Sequence, residues 1–197
     1  MLEECRAIVL RTLRFSEADL VVHALTDKGQ KLNFIARSAL KSKKRFAGGV
    51  LEPSHCIRMS YKRPSGDSEK LLQLNEASID QDFPGLRTDY QKLDLALYFL
   101  KLISAIVKEG DLEQPSIFNM LGHGLKAIET TQDPIALKMH FEAKVLAQQG
   151  VLASDQDFKK LLGSPMHLSH ELQLGDDEKK RLRSRLALTL NSYVHLE

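Results

Sequence analysis

The spacing of apolar residues changes near residue 84, and this change limits the possible folds more than any other feature of the sequence. Before it, apolar residues form short β-branched runs or alternate with polar residues, which is typical of strands. After it, they recur every three or four residues, as on one face of a helix. The tripeptide Phe83-Pro84-Gly85 stands between the two patterns. The sequence therefore predicts an α+β chain, with strands over residues 1–80 and an all-helical bundle over residues 84–197.

The first part of the chain contains five predicted strands. They cover residues 7–13, 20–26, 31–37, 55–62 and 71–77, and the last segment would also permit a helix. Turns are predicted at residues 27–30, where Gly29 suits a positive φ, and at residues 64–67. Five short strands favour a small closed barrel, because closure removes exposed strand edges. An SH3-like barrel or a fragment of a sandwich is the alternative.

The second part contains five predicted helices. They cover residues 89–108, 114–130, 134–149, 155–162 and 176–194. Asp133 is a predicted N-cap with Pro134 in the first turn, and Gly150 is a predicted C-cap. Gly122-His123-Gly124 is interpreted as an interruption of the second helix rather than as a dinucleotide-binding motif. The apolar stripes are interpreted as core.

Composition excludes several classes of protein. The chain has 197 residues, of which 43% are hydrophobic and 27% charged, as in globular domains. It has no apolar run of about 18 residues, which a membrane span requires. The first residues lack the features of a signal peptide, so a cytoplasmic protein is expected. Cys5 and Cys56 are too few for a disulfide framework or a four-thiolate zinc site, and we expect both to be buried, inert thiols.

Searches for catalytic and metal-binding motifs find no catalytic residue. The sequence contains no Walker A motif and no G-x-S-x-G nucleophile motif. His167 and His170 could face one metal ion from a helix, but two ligands do not complete a site, and surface histidines are the simpler interpretation. We therefore expect no enzyme activity, no bound metal and no cofactor.

Positive charge is concentrated near the N-terminus. Residues 1–70 carry 14 of the 28 basic residues but only 8 of the 26 acidic ones. Between residues 28 and 45 the sequence contains no acid and seven basic residues: Lys28, Lys31, Arg37, Lys41, Lys43, Lys44 and Arg45. Such a field attracts polyanions, so these residues are candidate phosphate contacts. The alternatives are a solvated basic face or a different anionic partner.

Residues 38–53, which we term the basic loop, connect the third and fourth predicted strands. The basic loop is expected to be long and mobile, and it contains Phe46 beside Arg45. Phe46 could stack on a base or fold back onto the barrel as a cap. Phe34 and Tyr61 are further stacking candidates, although core positions are favoured for both. A second group of residues is a candidate to extend the basic path: Arg11, Arg14, Arg58, Lys62 and Arg63.

An ordered series of short motifs resembles the RecO recombination-mediator family over about residues 1–150. In chain order, the matching pieces are Val9-Leu10-Arg11, Glu17-Ala18-Asp19-Leu20-Val21-Val22, Leu25-Thr26, Gly29, Ile35-Ala36-Arg37-Ser38-Ala39, Lys41-Ser42-Lys43-Lys44-Arg45-Phe46, Gly49-Val50-Leu51-Glu52-Pro53, Ala77, Phe83-Pro84-Gly85-Leu86-Arg87, Tyr98-Phe99-Leu100 and Phe118. The resemblance implies a five-stranded OB-fold joined to a helical domain. It also implies a non-enzymatic protein that binds single- and double-stranded DNA and anneals complementary strands.

The same resemblance implies protein partners. RecO-like proteins act with a ring-forming RecR partner and help to load a recombinase onto single strands covered by single-stranded-DNA-binding protein, in the cytoplasm at the nucleoid. They contact the acidic C-terminal tail of that covering protein through their helical part. Lys138, Phe141 and Lys144 are the candidates here, with core and solvated lysines as the alternative. Many members carry a four-cysteine zinc module, but residues 151–165 at that position contain no cysteine, so zinc is not expected.

Two other functions remain open from the sequence. One is a protein–protein adaptor whose helical bundle does the work, with an acidic partner on the basic loop. The other is a small hydrolase whose site carries no recognisable motif.

Overall fold

A computed structural model describes residues 2–63, 71–109, 113–152, 156–172 and 174–194. The turn predicted at residues 64–67 lies outside the described residues. The contacts divide the chain into two compact units. The first comprises Met1–Phe83 with Val107–Gly122, and the second comprises Pro84–Ile106 with His123–Glu197. Residues 107–122 thus cluster with the strands, although their apolar spacing groups them with the helices.

The first unit contains a closed five-stranded barrel. Its strands are β1 (Leu2–Arg14), β2 (Leu20–Thr26), β3 (Lys31–Ala36), β4 (Cys56–Lys62) and β5 (Leu72–Gln81). They follow one another around the barrel in the order β1-β2-β3-β5-β4. Only β3 and β5 pair in parallel. This is the strand order of an OB-fold, so the predicted fold class is confirmed and the fifth segment is a strand rather than a helix.

Alternation of side chains builds the barrel core. In β4, Ile57, Met59 and Tyr61 point into the core, whereas Arg58 and Lys62 are exposed, as the sequence pattern predicts. The ring of Phe34 packs edge-on against that of Tyr61, with 5.2 Å between centroids. Phe34 and Tyr61 are therefore core residues, as favoured from the sequence.

A tight turn joins β2 to β3. Gly29 has a φ of +79°, and its N–H donates to the Thr26 carbonyl at 2.8 Å. The N–H of Gln114 donates to the Lys28 carbonyl at 2.8 Å, so the chain before the second helix rests directly on this turn. The turn leaves no room for a side chain, because a Cβ on Gly29 would lie 2.0 Å from the Gln114 carbonyl oxygen.

In the described ranges, five α-helices and two 3-10 helices follow the barrel strands. The α-helices are α1 (Tyr90–Ile106), α2 (Pro115–Thr130), α3 (Pro134–Gln148), α4 (Lys159–Gly163) and α5 (Asp176–Tyr193), and the 3-10 helices are Pro84–Arg87 and Met166–Glu171. The Asp133 carboxylate accepts from the Ala136 N–H at 2.9 Å, which confirms the predicted N-cap of α3. Gly150 follows α3 with a φ of +71°, as its predicted capping role requires.

The second helix is continuous, so the predicted interruption at residues 122–124 is wrong. In the second unit, the rings of Phe99 and Phe141 stack with centroids 3.7 Å apart. A Cβ on Gly124 would lie 2.9 Å from the Phe141 ring. Gly124 therefore lets the helix approach this aromatic pair closely, and the packing outweighs the weak helix propensity of glycine.

The imidazole of His140 is fully buried in the second unit, and this placement makes stability depend on pH. Its Nε2 donates to the Ser164 carbonyl at 3.1 Å. Burial, together with the charge of Lys144, lowers the pKa of His140 from 6.5 to about 4. The His140 imidazole of the unfolded chain is therefore protonated at a higher pH than that of the folded chain. We expect the free energy of unfolding to fall as the pH drops from about 6.5 to 4, by up to about 3 kcal/mol.

Urea denaturation at a series of pH values measures this effect. His140→Gln removes the titrating ring and should flatten the dependence in that pH range, whatever its effect on stability at neutral pH. The opposite contribution of Glu142, whose pKa is raised by burial, is present in both proteins. Parallel pH profiles for the two proteins would contradict the assignment.

Candidate nucleic-acid interface

The basic loop packs against the barrel. Ala39, Phe46, Val50 and Leu51 belong to the barrel core cluster, and each is less than 9% exposed. Within the loop, the Val50 N–H donates to Ala47 and the Glu52 N–H to Gly49, at 3.0 and 2.9 Å. The apolar side chains of the loop therefore help to fill the core, which the sequence analysis did not predict.

Hydrogen bonds fix both ends of the basic loop. Ser38 adopts a φ of +56°, and its N–H donates to the Asp19 carboxylate at 2.7 Å. The Leu40 N–H donates to the Ala18 carbonyl at 3.0 Å, which ties the loop to the β1–β2 turn. At the other end, the Thr12 hydroxyl donates to the Leu51 carbonyl at 2.7 Å. Asp19 is thus a positioning residue for the loop, a role that sequence reasoning missed.

Four cations stand exposed on or beside this fixed loop. They are Arg37, Lys41, Lys43 and Lys44. Within the described ranges, no acidic side chain pairs with any of the four. Arg45 is half-buried and donates to the Arg37 carbonyl at 2.9 Å, with its guanidinium over the Phe46 ring. Five of the seven predicted phosphate contacts therefore lie on the basic loop or directly before it.

Lys28 and Lys31 lie apart from this group. The Lys28 Nζ is 3.4 Å from the Glu113 carboxylate. Lys31 begins β3 and bridges to Glu109 through the backbone, whereas Arg37 follows the end of the strand. Six residues of strand separate Lys31 from Arg37 by about 20 Å. One phosphate group bound at the basic loop therefore cannot also contact Lys28 or Lys31.

The predicted stacking role of Phe46 is corrected by the structure. Its side chain is 4% exposed, and the Ala77 N–H donates to the neighbouring Arg45 carbonyl at 3.0 Å. Phe46 is therefore a cap over the barrel core, which was the alternative interpretation. The exposed aromatic residue in the described part of the first unit is instead Phe15, at 67%. A phenylalanine between Arg14 and the polar turn that begins at Ser16 is the sequence signal that could have identified it.

The other basic candidates divide into paired and unpaired groups. The guanidinium groups of Arg6 and Arg58 both bind Asp80. The pKa of the Asp80 carboxyl is lowered, and the hydrogen bond from Arg58 is the largest cause. Arg63 binds Glu3 at 2.7 Å and lowers the pKa of Glu3 in the same way. Arg63 is thus paired with an acid of its own, whereas Arg58 shares the single charge of Asp80 with Arg6. Three candidates are exposed and have no such partner among the described residues: Arg11, Arg14 and Lys62.

The second unit contains the three candidates for binding an acidic tail, and they differ in position. Phe141 is fully buried in its stack with Phe99. The predicted contact of Phe141 with an acidic tail is therefore wrong, and Phe141 is a core residue. The Lys144 ammonium donates to the Leu162 carbonyl at 3.0 Å. Lys138 is exposed, with its Nζ 4.0 Å from the Tyr98 ring centroid.

Lys138 borders a groove of about 600 Å³ formed by α1, α3 and α5. Arg183 is the second cation of the groove, Asp94 and Glu142 are its two acids, and Leu95, Met139 and Leu190 supply apolar lining. Under Lys138, the Tyr98 hydroxyl donates to the Glu142 carboxylate at 2.5 Å. Burial raises the pKa of Glu142, and the Lys138 Nζ lies 4.0 Å from the same carboxylate.

The cysteines and the histidine pair are the remaining candidates from the sequence. Cys56 is buried and Cys5 half-buried, and burial raises the pKa of both thiols, as expected for inert cysteines. His167 and His170 are exposed. Within the described ranges, no three His, Cys, Asp or Glu side chains lie close enough to hold a metal ion. No helix in the same ranges is both long enough and apolar enough to cross a bilayer.

Comparison with protein families gives two matches along the chain. Residues 1–81 match the family model described as "Recombination protein O N terminal". Residues 87–154 match the model described as "Recombination protein O C terminal". Together the two models cover the barrel and the helical region as far as residue 154.

Curated proteins named "DNA repair protein RecO" are similar over most of this chain. The one from Desulfosudis oleivorans is 29% identical over 81% of this chain and 63% of its own length. Those from Maridesulfovibrio salexigens and Syntrophus aciditrophicus are 31% and 34% identical, over 74% and 72% of this chain. The aligned parts are 57% and 53% of those two relatives. The chain thus spans little more than half the length of these relatives.

Proposed function

The chain belongs to the RecO family, and we propose that it acts in DNA repair and recombination by binding single- and double-stranded DNA through its basic loop. One observation carries this proposal: four cations that have no acidic partner among the described residues stand on or beside a loop that hydrogen bonds fix to the OB-fold barrel. Cations in this arrangement neutralise phosphates and release counterions without reading the sequence of the bases.

We propose strand annealing as the activity that follows from such contacts. Two complementary strands repel each other as polyanions, and cations on a rigid surface lower this repulsion. Contacts to phosphates exchange readily, so the strands can change register until they match. Base pairing then supplies the free energy, which requires neither a catalytic residue nor a cofactor.

Strand annealing can be measured with two complementary oligonucleotides that carry a fluorophore and a quencher. We expect the protein to accelerate quenching in the absence of nucleotide and metal. Hydrolysis of either strand would instead support a hydrolase. We expect the acceleration of annealing to be lost above about 0.3 M salt, because counterion release then contributes little to DNA binding.

We further propose that the groove bordered by Lys138 and Arg183 binds the acidic C-terminal tail of single-stranded-DNA-binding protein, and that a RecR-like ring protein is the other partner. An acidic tail needs cations for its carboxylates and an apolar surface for its side chains. Lys138 and Arg183 supply the first, and Leu95, Met139 and Leu190 supply the second. Such a complex in the cytoplasm would assist recombinase loading on covered single strands at the nucleoid.

Reversing the groove charges tests this assignment. Lys138→Glu with Arg183→Glu is expected to weaken binding of a fluorescent acidic peptide with a free C-terminus by at least tenfold. Lys101→Glu with Lys159→Glu makes the same change in net charge elsewhere in the second unit and should leave affinity within twofold. Equal losses for the two double variants would reject the groove as the tail site.

The groove also supports the second candidate function, an adaptor that acts through its helices. An adaptor would bind the acidic peptide but not DNA. Peptide binding that persists while the wild-type chain fails to bind any oligonucleotide at low salt would favour it.

A further inference from the structure

We propose that Phe15 and an apolar pocket beside the basic loop bind unpaired bases, so that the first unit distinguishes single strands from duplex. This inference rests on the proposed DNA binding and names the part of the ligand that the site selects. The phosphate contacts alone would hold both forms of DNA. The apolar surface beside them is suited to only one.

Phe15 lies in a turn that is tied to the basic loop. The Phe15 N–H donates to the Asp19 carbonyl at 3.0 Å, and the Asp19 N–H donates to the Ser16 hydroxyl at 3.1 Å. The carboxylate of the same Asp19 holds Ser38 at the start of the loop. Phe15 is therefore on a turn that is hydrogen-bonded to the start of the basic loop, and two thirds of its surface is exposed.

The pocket lies between β1, β2 and the basic loop and has a volume of about 500 Å³. That size is within the range of small-molecule sites. Arg14, Lys41 and Lys43 provide its positive groups, and Glu52 is the one acid in its lining. The apolar part of the lining comprises Leu20, Ala39, Leu40, Val50 and Leu51. Leu40 is 45% exposed, so the pocket continues onto an apolar surface at the loop.

Single-stranded nucleic acid alternates charged phosphates with flat bases. This region combines the loop cations with an apolar pocket and, on the adjoining turn, an exposed aromatic ring. In a duplex the faces of the bases are stacked inside and cannot reach Phe15. Stacking of one base on an aromatic ring is worth roughly 5- to 150-fold in affinity. Preference for a single strand therefore follows from the uncharged part of the site.

Phe15→Ala tests the inference. By fluorescence anisotropy, we expect affinity for a single-stranded thymidine oligonucleotide to fall at least fivefold, while affinity for a duplex of equal length stays within twofold. Because no cation is lost, the dependence on salt should not change. Phe15→Trp should retain the wild-type affinity. Tyr90→Ala, which removes a ring that is 82% exposed in the second unit, should have no effect.

An abasic oligonucleotide with the same number of phosphates provides a second readout. Wild type should bind it more weakly than the thymidine oligonucleotide, and Phe15→Ala should cause no further loss. Equal effects on single strand and duplex, or no effect on either, would overturn the base-binding role while leaving phosphate binding intact. Failure of the wild-type chain to bind either form would instead reject the proposed function. Binding of an acidic peptide at this pocket, lost in Phe15→Ala, would assign the surface to a protein partner and overturn the inference.

Discussion

Reversing Lys41, Lys43 and Lys44 to glutamate is expected to reduce affinity for DNA at least 100-fold at low salt, for single strands and duplex alike. All three side chains are exposed, so the barrel should stay folded. Each lost cation removes one released counterion, and each new carboxylate repels a phosphate. The slope of log affinity against log salt should therefore decrease by about 0.7 per lost contact on single strands and about 0.9 on duplex.

A variant with the same net charge separates local contacts from general attraction. Lys101, Lys159 and Lys180 are exposed lysines of the second unit, and their reversal to glutamate makes a matched control. We expect the control to lose less than fivefold in affinity at the same salt concentration. Similar losses in the two triple variants would show that DNA is held by diffuse charge and not by the basic loop.

Gly29→Ala is expected to destabilise the first unit by about 3–5 kcal/mol. The positive φ of Gly29 disfavours any residue with a Cβ, and the added methyl group would lie 2.0 Å from the Gln114 carbonyl oxygen. Neither conflict is relieved by a rotamer change, because the opposing atoms are backbone. Such a loss is a large part of typical domain stability and should lower the melting temperature by about 10 °C or more.

Gly48→Ala is the control for this substitution. Gly48 has no positive φ, and a Cβ there would meet no heavy atom within 4 Å. Its melting temperature should stay close to that of wild type. If Gly29→Ala were as stable as wild type, then the turn and the segment at Gln114 would not pack as described.

The sequence predicts the barrel because most strands carry an apolar pattern. The predicted strand limits are wrong at the polar ends of β1 and β5. β1 begins at Leu2 rather than residue 7, and β5 continues to Gln81 rather than residue 77. The added segments are polar, with Ile79 itself 47% exposed. They pair through the backbone ladder, and the ion pairs Arg63–Glu3 and Arg6–Asp80 lie across the barrel surface beside it. These partners are distant in sequence, so no local pattern reveals them.

The positive charge of the candidate nucleic-acid interface could be predicted from the sequence, but which of its aromatic residues is exposed could not. A run of cations without acids is visible in the sequence whatever the loop conformation. Whether Phe46 or Phe15 faces solvent depends on which part of the loop covers the barrel, and that is decided by tertiary packing. The hydrogen bond from Ser38 to Asp19, which fixes the loop, joins residues 19 positions apart. The charge of a side chain follows from the residue type, whereas its exposure depends on the tertiary structure.

Anisotropy of a labelled single-stranded oligonucleotide, titrated with protein at several salt concentrations without metal or nucleotide, tests the central claim most directly. If Arg37, Lys41, Lys43 and Lys44 contact phosphates, log affinity should fall against log salt with a slope of about −3. Absence of binding at low salt, or binding that does not depend on salt, would contradict the account.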